Sequence, residues 1–288
     1  MQVNSEWKDY EVIATGDGNK LERWGKYVLL RPDPQVIWPE SFPLENYKGL
    51  TAKYVRSATG GGHWEYLEPM PENFTVSWRN LTFRLKLMGF KHTGLFPEQA
   101  ANWDWFTPII KASGRRIRLL NLFAYTGGAS VAAAKAGAFV CHVDASKGMV
   151  ARAKQNALLS GVPSDGIRYI VDDCLAFVER EIRRGNKYDA VILDPPSFGR
   201  GPKGERWIIE ESLDSLMSRI AELVSDNPLF VILNSYTTNL SPSTCGYILH
   251  KSLYPRFGGR VSSDELGLPV EESGIALPCG AASRWTKF

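Results

Sequence analysis

From Arg115 onward, apolar runs of strand length alternate with segments of helical length. No other feature constrains the fold of this chain as much. "IRLLNLF" is followed by a glycine-containing turn and "ASVAAAKAG", which stops at Gly137. "AFVCHVD" leads into "SKGMVARAKQNALLSG", an amphipathic stretch opened by the capping residue Ser146 and closed by Gly161. "IRYIVDD", "CLAFVEREIRRG", "YDAVILD", "DSLMSRIAELVSD" and "LFVILNS" continue the alternation. Five strands interleaved with helices predict βαβ units, a parallel sheet and helices on both of its faces.

Residues 1–88 differ in character and predict a small, aromatic-rich β subdomain; residues 89–288 form the second predicted domain. "FTVSWRNLTFRLKL" alternates with period two on either side of Arg79-Asn80 and reads as a β-hairpin. Trp7, Trp24, Trp38 and Trp64 either build the core of this subdomain or stack on nucleotide bases. The tail "VEESGIALPCGAASRWTKF" ends in strand-like apolar residues.

Composition narrows the function classes. The four cysteines include no C-x-x-C pair and the four histidines show no ligand spacing, so no metal site is expected. Reduced cysteines in apolar runs suit a reducing cytosol, and a cytoplasmic location is expected. No apolar run approaches the ~20 residues of a membrane span, and the first residues lack the pattern of a signal peptide. A net charge of +3 permits a nucleic-acid partner without predicting one.

In an open α/β sheet, ligands bind beyond the carboxyl ends of the strands, so chemistry is sought in the loops there. "FAYTGGAS" follows the first strand; its Gly127-Gly128 pair lets the backbone approach a ligand, but G-x-G-x-x-G is absent. A ligand without a pyrophosphate fits better, which opposes a nicotinamide dehydrogenase. Asp144 ends the second strand, where an acid accepts hydrogen bonds from ribose hydroxyls or caps the next helix. Asp172-Asp173 ends the third. Either acid can meet an exocyclic amine or cap the following helix, and Asp173 is preferred for the ligand. The fourth strand ends in "DPPSFGRG", where Arg200, Lys203 and Arg206 form a mobile solvated loop or meet substrate phosphate.

Together, "LNLFAYTGGAS", "VDASKGMVARAKQNA", "VDDCLAFV" and "YDAVILDPPSFGRG" resemble class I S-adenosylmethionine-dependent methyltransferases. More narrowly, they resemble the 23S rRNA large-subunit methyltransferases acting on cytosine C5 or guanine N7. Upstream, "GFKHTGLFPEQAANWDWF" is similar to a segment that in that family closes over the methionine end of the cofactor. The resemblance implies a Rossmann-like, mostly parallel seven-stranded sheet completed by an antiparallel last strand. It implies S-adenosyl-L-methionine as cofactor and RNA, rRNA foremost, as substrate. On the cofactor it places Phe123, Tyr125, Thr126 and Gly127 at the methionine part, Asp144 at the ribose, Ala145 or Ser146 near the adenine, and Asp173 at the adenine amine. Lys91, Thr93, Gly94 and Gln99 would join them from upstream. Asp194, Pro195, Pro196 and Phe198 would face the methyl acceptor, with Asp194 also bordering the cofactor.

Two departures from that family matter. The cytosine-C5 branch carries a cysteine nucleophile after the fifth strand, where this chain has Ser235 and Tyr236. Direct transfer to a nitrogen or oxygen is therefore expected. The residues before Gly89 do not resemble the RNA-binding domain found at the start of RNA-acting members. In addition, amino-group methyltransferases of nucleic acids commonly place an aromatic directly after the prolines, whereas here Ser197 intervenes. A small-molecule or protein acceptor, or a cofactor-binding module without catalysis, is the competing expectation.

Overall fold

The computed structural model describes residues 1–57, 61–89, 91–200 and 206–288. Lys203 lies outside them. The chain divides into two compact units, residues 1–100 with 267–279, and residues 101–266 with 280–288. Residues 89–100, which follow the expected boundary at 88/89, fall in the first unit.

The first unit holds β1 (Gln2–Val3), β2 (Tyr10–Gly16), β3 (Asn19–Trp24), β4 (Tyr27–Pro32), β5 (Leu50–Arg56) and β6 (Gly62–Tyr66). Strands β2 to β6 form one sheet in sequence order. The expected hairpin is present as β7 (Phe74–Trp78) and β8 (Leu81–Leu85), with Trp78 opposite Leu81 and Arg79 at φ 51° in the two-residue turn. Trp24 is fully buried. Trp7, Trp38 and Trp64 are only partly buried, and their indole N–H groups donate to Pro97 O, Thr15 Oγ1 and Met88 O. Around Trp24 lies a buried charge cluster. Glu22 accepts from Tyr10 and, through both oxygens, from Arg31, while Lys20 bridges Glu22 and Asp33. Although burial opposes ionisation, Arg31 and Lys20 hold the Glu22 carboxyl down at about 2.

The second unit follows the predicted alternation: α1 (Ala100–Ala112), β9 (Arg118–Leu122), α2 (Gly128–Lys135), β10 (Phe139–Asp144), α3 (Lys147–Leu159), β11 (Ile167–Val171), α4 (Cys174–Arg183), β12 (Ala190–Leu193). Then come a short hairpin, β13 (Phe198–Arg200) and β14 (Arg206–Ile208), followed by α5 (Ile209–Leu223), β15 (Phe230–Ser235), α6 (Pro242–Phe257), β16 (Arg260–Pro269) and β17 (Ala276–Thr286). The strand order is β16-β17-β15-β12-β9-β10-β11. Strands β9 to β12 and β15 are mutually parallel, whereas β17 runs antiparallel to β15. The tail thus closes the sheet as expected. β12 and β15 are buried at every position, which is why they read as unbroken apolar runs.

Candidate active site

Register aligns the site. Val143, Leu122, Leu193 and Leu233 are partners across β10, β9, β12 and β15. The next residue on each strand is therefore Asp144, Phe123, Asp194 and Asn234, side by side at the carboxyl edge. With ~4.8 Å between strands, Asp144 and Asp194 start ~10 Å apart, one on each side of the loop after β9. A ligand lying across that loop can meet both.

The loop after β9 is held in a form that few residues adopt. Phe123, Tyr125 and Gly127 all have positive φ, 54°, 50° and 85°. Such a conformation costs roughly 1 kcal/mol or more at each non-glycine residue. Four contacts stabilise it. The Tyr125 N–H donates to Asp144 Oδ2 (2.8 Å), the Phe123 N–H to Cys174 Sγ (3.2 Å), the Ala124 N–H to Val143 O (3.1 Å), and Asn156 Nδ2 to Thr126 O (2.9 Å). A Cβ on Gly127 would lie 2.8 Å from Ala153 Cβ. The glycine thus admits α3 against the loop, whereas the sequence reading assigned its freedom to ligand approach.

Asp144 also accepts from the Ser146 N–H through Oδ1 (2.8 Å). Ser146 caps α3 as predicted, accepting from Met149 N, and Ala145 is exposed beside it. Each Asp144 oxygen accepts one backbone N–H and retains a further lone pair. At the end of β11, Asp173 caps α4 by accepting from Ala176 N with Oδ1 (2.8 Å), and Asp172 pairs with Arg180. The cap uses one Asp173 oxygen, the alternative role that the sequence left open for an acid here.

On the other side of β9, Pro195 is buried, whereas Pro196, Ser197 and Phe198 are exposed, Phe198 by 54%. The turn is tied down by three bonds. Trp207 Nε1 donates to Pro196 O (2.6 Å), Ile209 N to Ser197 O (3.1 Å), and Ser197 Oγ meets Thr237 Oγ1 (2.6 Å). After β15 come Tyr236 and Thr237; a Cβ on Gly280 of β17 would reach the Tyr236 ring at 2.8 Å. Cys245 is fully buried in α6, and burial pushes its thiol up. Cys174 is buried too and shifted further in the same direction. Neither is an accessible thiolate.

Within the first unit, Lys91 Nζ donates to Pro32 O (3.1 Å), and burial lowers the lysine. Thr93 is fully buried with Oγ1 unbonded, Gly94 has φ 103°, and Gln99 is buried in a short 3-10 turn. Sequence reasoning missed Asn156, Cys174, Trp207 and Thr237. Only Asn156 carried a signal, as an amide on the otherwise apolar face formed by Val150, Ala153 and Ala157. Among the described residues no cluster of acids, histidines and cysteines could hold a metal ion, and no helix is long and apolar enough to cross a membrane.

A mostly parallel sheet with one reversed strand, and with acids and Asp-Pro-Pro at the carboxyl ends of its strands, is the architecture of class I methyltransferases. Residues 20–239 match the S-adenosylmethionine-dependent methyltransferase family, and the chain belongs to it. An S-adenosylmethionine-dependent methyltransferase of Agrobacterium tumefaciens superposes with a TM-score of 0.93 at 34% identity, over 99% of this chain and 93% of that one. Ribosomal RNA large subunit methyltransferase K/L of Shewanella sp. (strain MR-4) is 28% identical over 70% of this chain and 28% of its own length. Its counterpart in Shewanella baltica (strain OS155 / ATCC BAA-1091) is 34% identical over 53% and 21%. The chain therefore spans only about a quarter of these curated relatives. The enzyme uses S-adenosyl-L-methionine, and the loop of residues 123–130 suits a group without phosphate, since it carries no basic side chain.

Proposed function

We propose that this enzyme transfers its methyl group directly to a nitrogen of an RNA base, with rRNA the leading substrate. One observation carries the nitrogen reading. The acceptor side of the edge offers a carboxylate, a proline turn and an exposed aromatic ring, while Cys245 and Cys174 are buried. A ring carbon needs covalent activation by a thiolate; an amino or ring nitrogen brings its own lone pair. RNA is supported by the curated relatives, whose names describe rRNA methyltransferases.

The bound cofactor supplies a methyl group on a sulfonium whose positive charge disappears during transfer. No anion develops, so alignment is the protein's main task. Asp144 holds the ribose hydroxyls, and Asp173 the adenine amine. The strained loop of residues 123–127 carries Phe123 and Tyr125 to the methionine part, and Ala145 and Ser146 border the adenine. Asp194 and the Pro195 carbonyl accept hydrogen bonds from the acceptor N–H groups. Their acceptance turns the nitrogen lone pair toward the methyl, and Asp194 is placed to take the proton released once the bond has formed. Phe198 stacks on the base, which contributes ~1–3 kcal/mol, after the base has left its helix or from an unpaired loop.

Comparing modified nucleosides of rRNA and tRNA by mass spectrometry, with and without the gene, tests the reading. Loss of one N-methylated nucleoside is expected. An unchanged profile would move the acceptor to a small molecule or a protein side chain.

A further inference from the structure

We propose that Trp207 is a positioning residue, which decides which carbonyl of the Asp-Pro-Pro turn is offered to the methyl acceptor. The inference rests on the nitrogen-acceptor reading above.

The turn cannot hold itself. Neither proline has a backbone N–H, so the segment has few internal donors, while its successive carbonyls all seek partners. The partners come from outside. The Trp207 indole N–H claims the Pro196 carbonyl at 2.6 Å, and the Ile209 N–H claims that of Ser197 at 3.1 Å. Of the two proline carbonyls, that of Pro195 is then the one left to meet an acceptor N–H. A hairpin places the indole. Trp207 lies opposite Gly199 in the β13–β14 pair, and Phe198, next to Gly199, is opposite Ile208. The indole is not a surface contact, since Trp207 is only 7% exposed. Its ring centroid is 5.8 Å from that of Phe123, tilted by 44°. One side chain therefore packs against the cofactor loop and bonds to the acceptor turn. The Ser197–Thr237 hydroxyl pair ties the same turn to the loop after β15. If the Pro196 bond is lost, the turn keeps its sequence but loses the restraint that aims Pro195. Small misplacements of this kind cost transfer rate far more than cofactor affinity.

Trp207→Phe separates the two contacts, because it keeps an aromatic ring against Phe123 and deletes the N–H. Three measurements on the full-length enzyme decide. Calorimetry with S-adenosylhomocysteine should give an affinity within ~3-fold of wild type. Transfer of labelled methyl to total RNA from cells lacking the gene should show kcat reduced ~10–100-fold, with KM for S-adenosylmethionine unchanged. Hydrogen exchange should speed up at the amides of Ser197, Phe198 and Gly199. Unchanged kcat together with unchanged exchange overturns the proposal. So does a loss of homocysteine-product affinity as large as the loss of rate, which would make Trp207 part of the cofactor site. If the wild-type enzyme labels no RNA, the RNA reading fails. The exchange measurement then still decides Trp207 by itself, with faster exchange at normal affinity supporting it and wild-type exchange refuting it.

Discussion

Gly127 shows how tightly single residues are specified at this edge. Alanine there meets two separate costs, a positive φ of 85° and a Cβ 2.8 Å from Ala153 Cβ. We expect Gly127→Ala to destabilise the protein by ~2–4 kcal/mol in urea unfolding. Adding Ala153→Gly should return only the part due to overlap, leaving ~1 kcal/mol for the backbone. Full recovery would mean that conformation costs nothing here. Asp144 carries a different load, since it orders Tyr125 and Ser146 and is the residue proposed to hold the ribose. Asp144→Ala should weaken S-adenosylhomocysteine binding by at least ~10-fold in calorimetry; wild-type affinity would remove it from the cofactor site. The positions of Asp144 and Asp194 at strand ends were legible in the sequence because they end apolar runs, a position that needs no knowledge of partners. Trp207 and Cys174 were not, because a tryptophan or cysteine beside apolar residues looks the same whether it only fills the core or also bonds a distant loop.

At the scale of elements, the central parallel strands were readable because burial on both faces fills them mostly with apolar residues, as in β12. The β13–β14 hairpin was not, since three-residue strands carry too short a pattern for period two to register. α1 is placed by a buried polar relay that local sequence could not announce. Arg284 of β17 donates to Asn102 Oδ1 (2.8 Å) and Ala101 O (3.1 Å), and Asn102 donates to Asn234 Oδ1 of β15 (2.9 Å). Burial lowers the Arg284 guanidinium to about 10, still charged at neutral pH. Arg284→Met should destabilise the fold by ~2–4 kcal/mol because Asn102 loses its donor inside the protein. A urea midpoint equal to wild type, at an unchanged slope, would show that the relay contributes nothing.

Across the whole molecule, acid should destabilise the fold before the carboxylates are protonated. His142 is completely buried, accepts or donates one bond at Nδ1 with Ser130 Oγ (3.0 Å), and is pushed down to about 4 by burial. His92, in the other unit, is lowered to a similar value. The folded-state values lie below the unfolded value of ~6.5, so the unfolded chain binds more protons between pH 6.5 and 4. Stability is therefore highest above pH 6.5 and falls as pH drops through that window. From pH 7.5 to 5.0, His142 should cost about 2 kcal/mol, a loss that His142→Gln should remove from the urea-unfolding profile. An unaltered pH dependence in that variant would refute the assignment. At this scale the sequence revealed the βαβ succession, and the family resemblance implied the reversed tail strand. It did not reveal that residues 267–279 belong with the N-terminal unit, where Glu271 N and Glu272 N donate to Val12 O and Ile13 O of β2. Such pairing joins residues ~260 positions apart and leaves no local trace.

We propose that the edge is divided, with cofactor groups on the β10 side of the loop after β9 and acceptor groups on the β12 side. Asp194→Ala tests it most directly, measured in parallel for S-adenosylhomocysteine affinity and for transfer of labelled methyl to RNA from cells lacking the gene. The division predicts affinity within ~3-fold of wild type and transfer reduced at least ~100-fold. A variant that loses cofactor affinity as steeply as it loses transfer would contradict it.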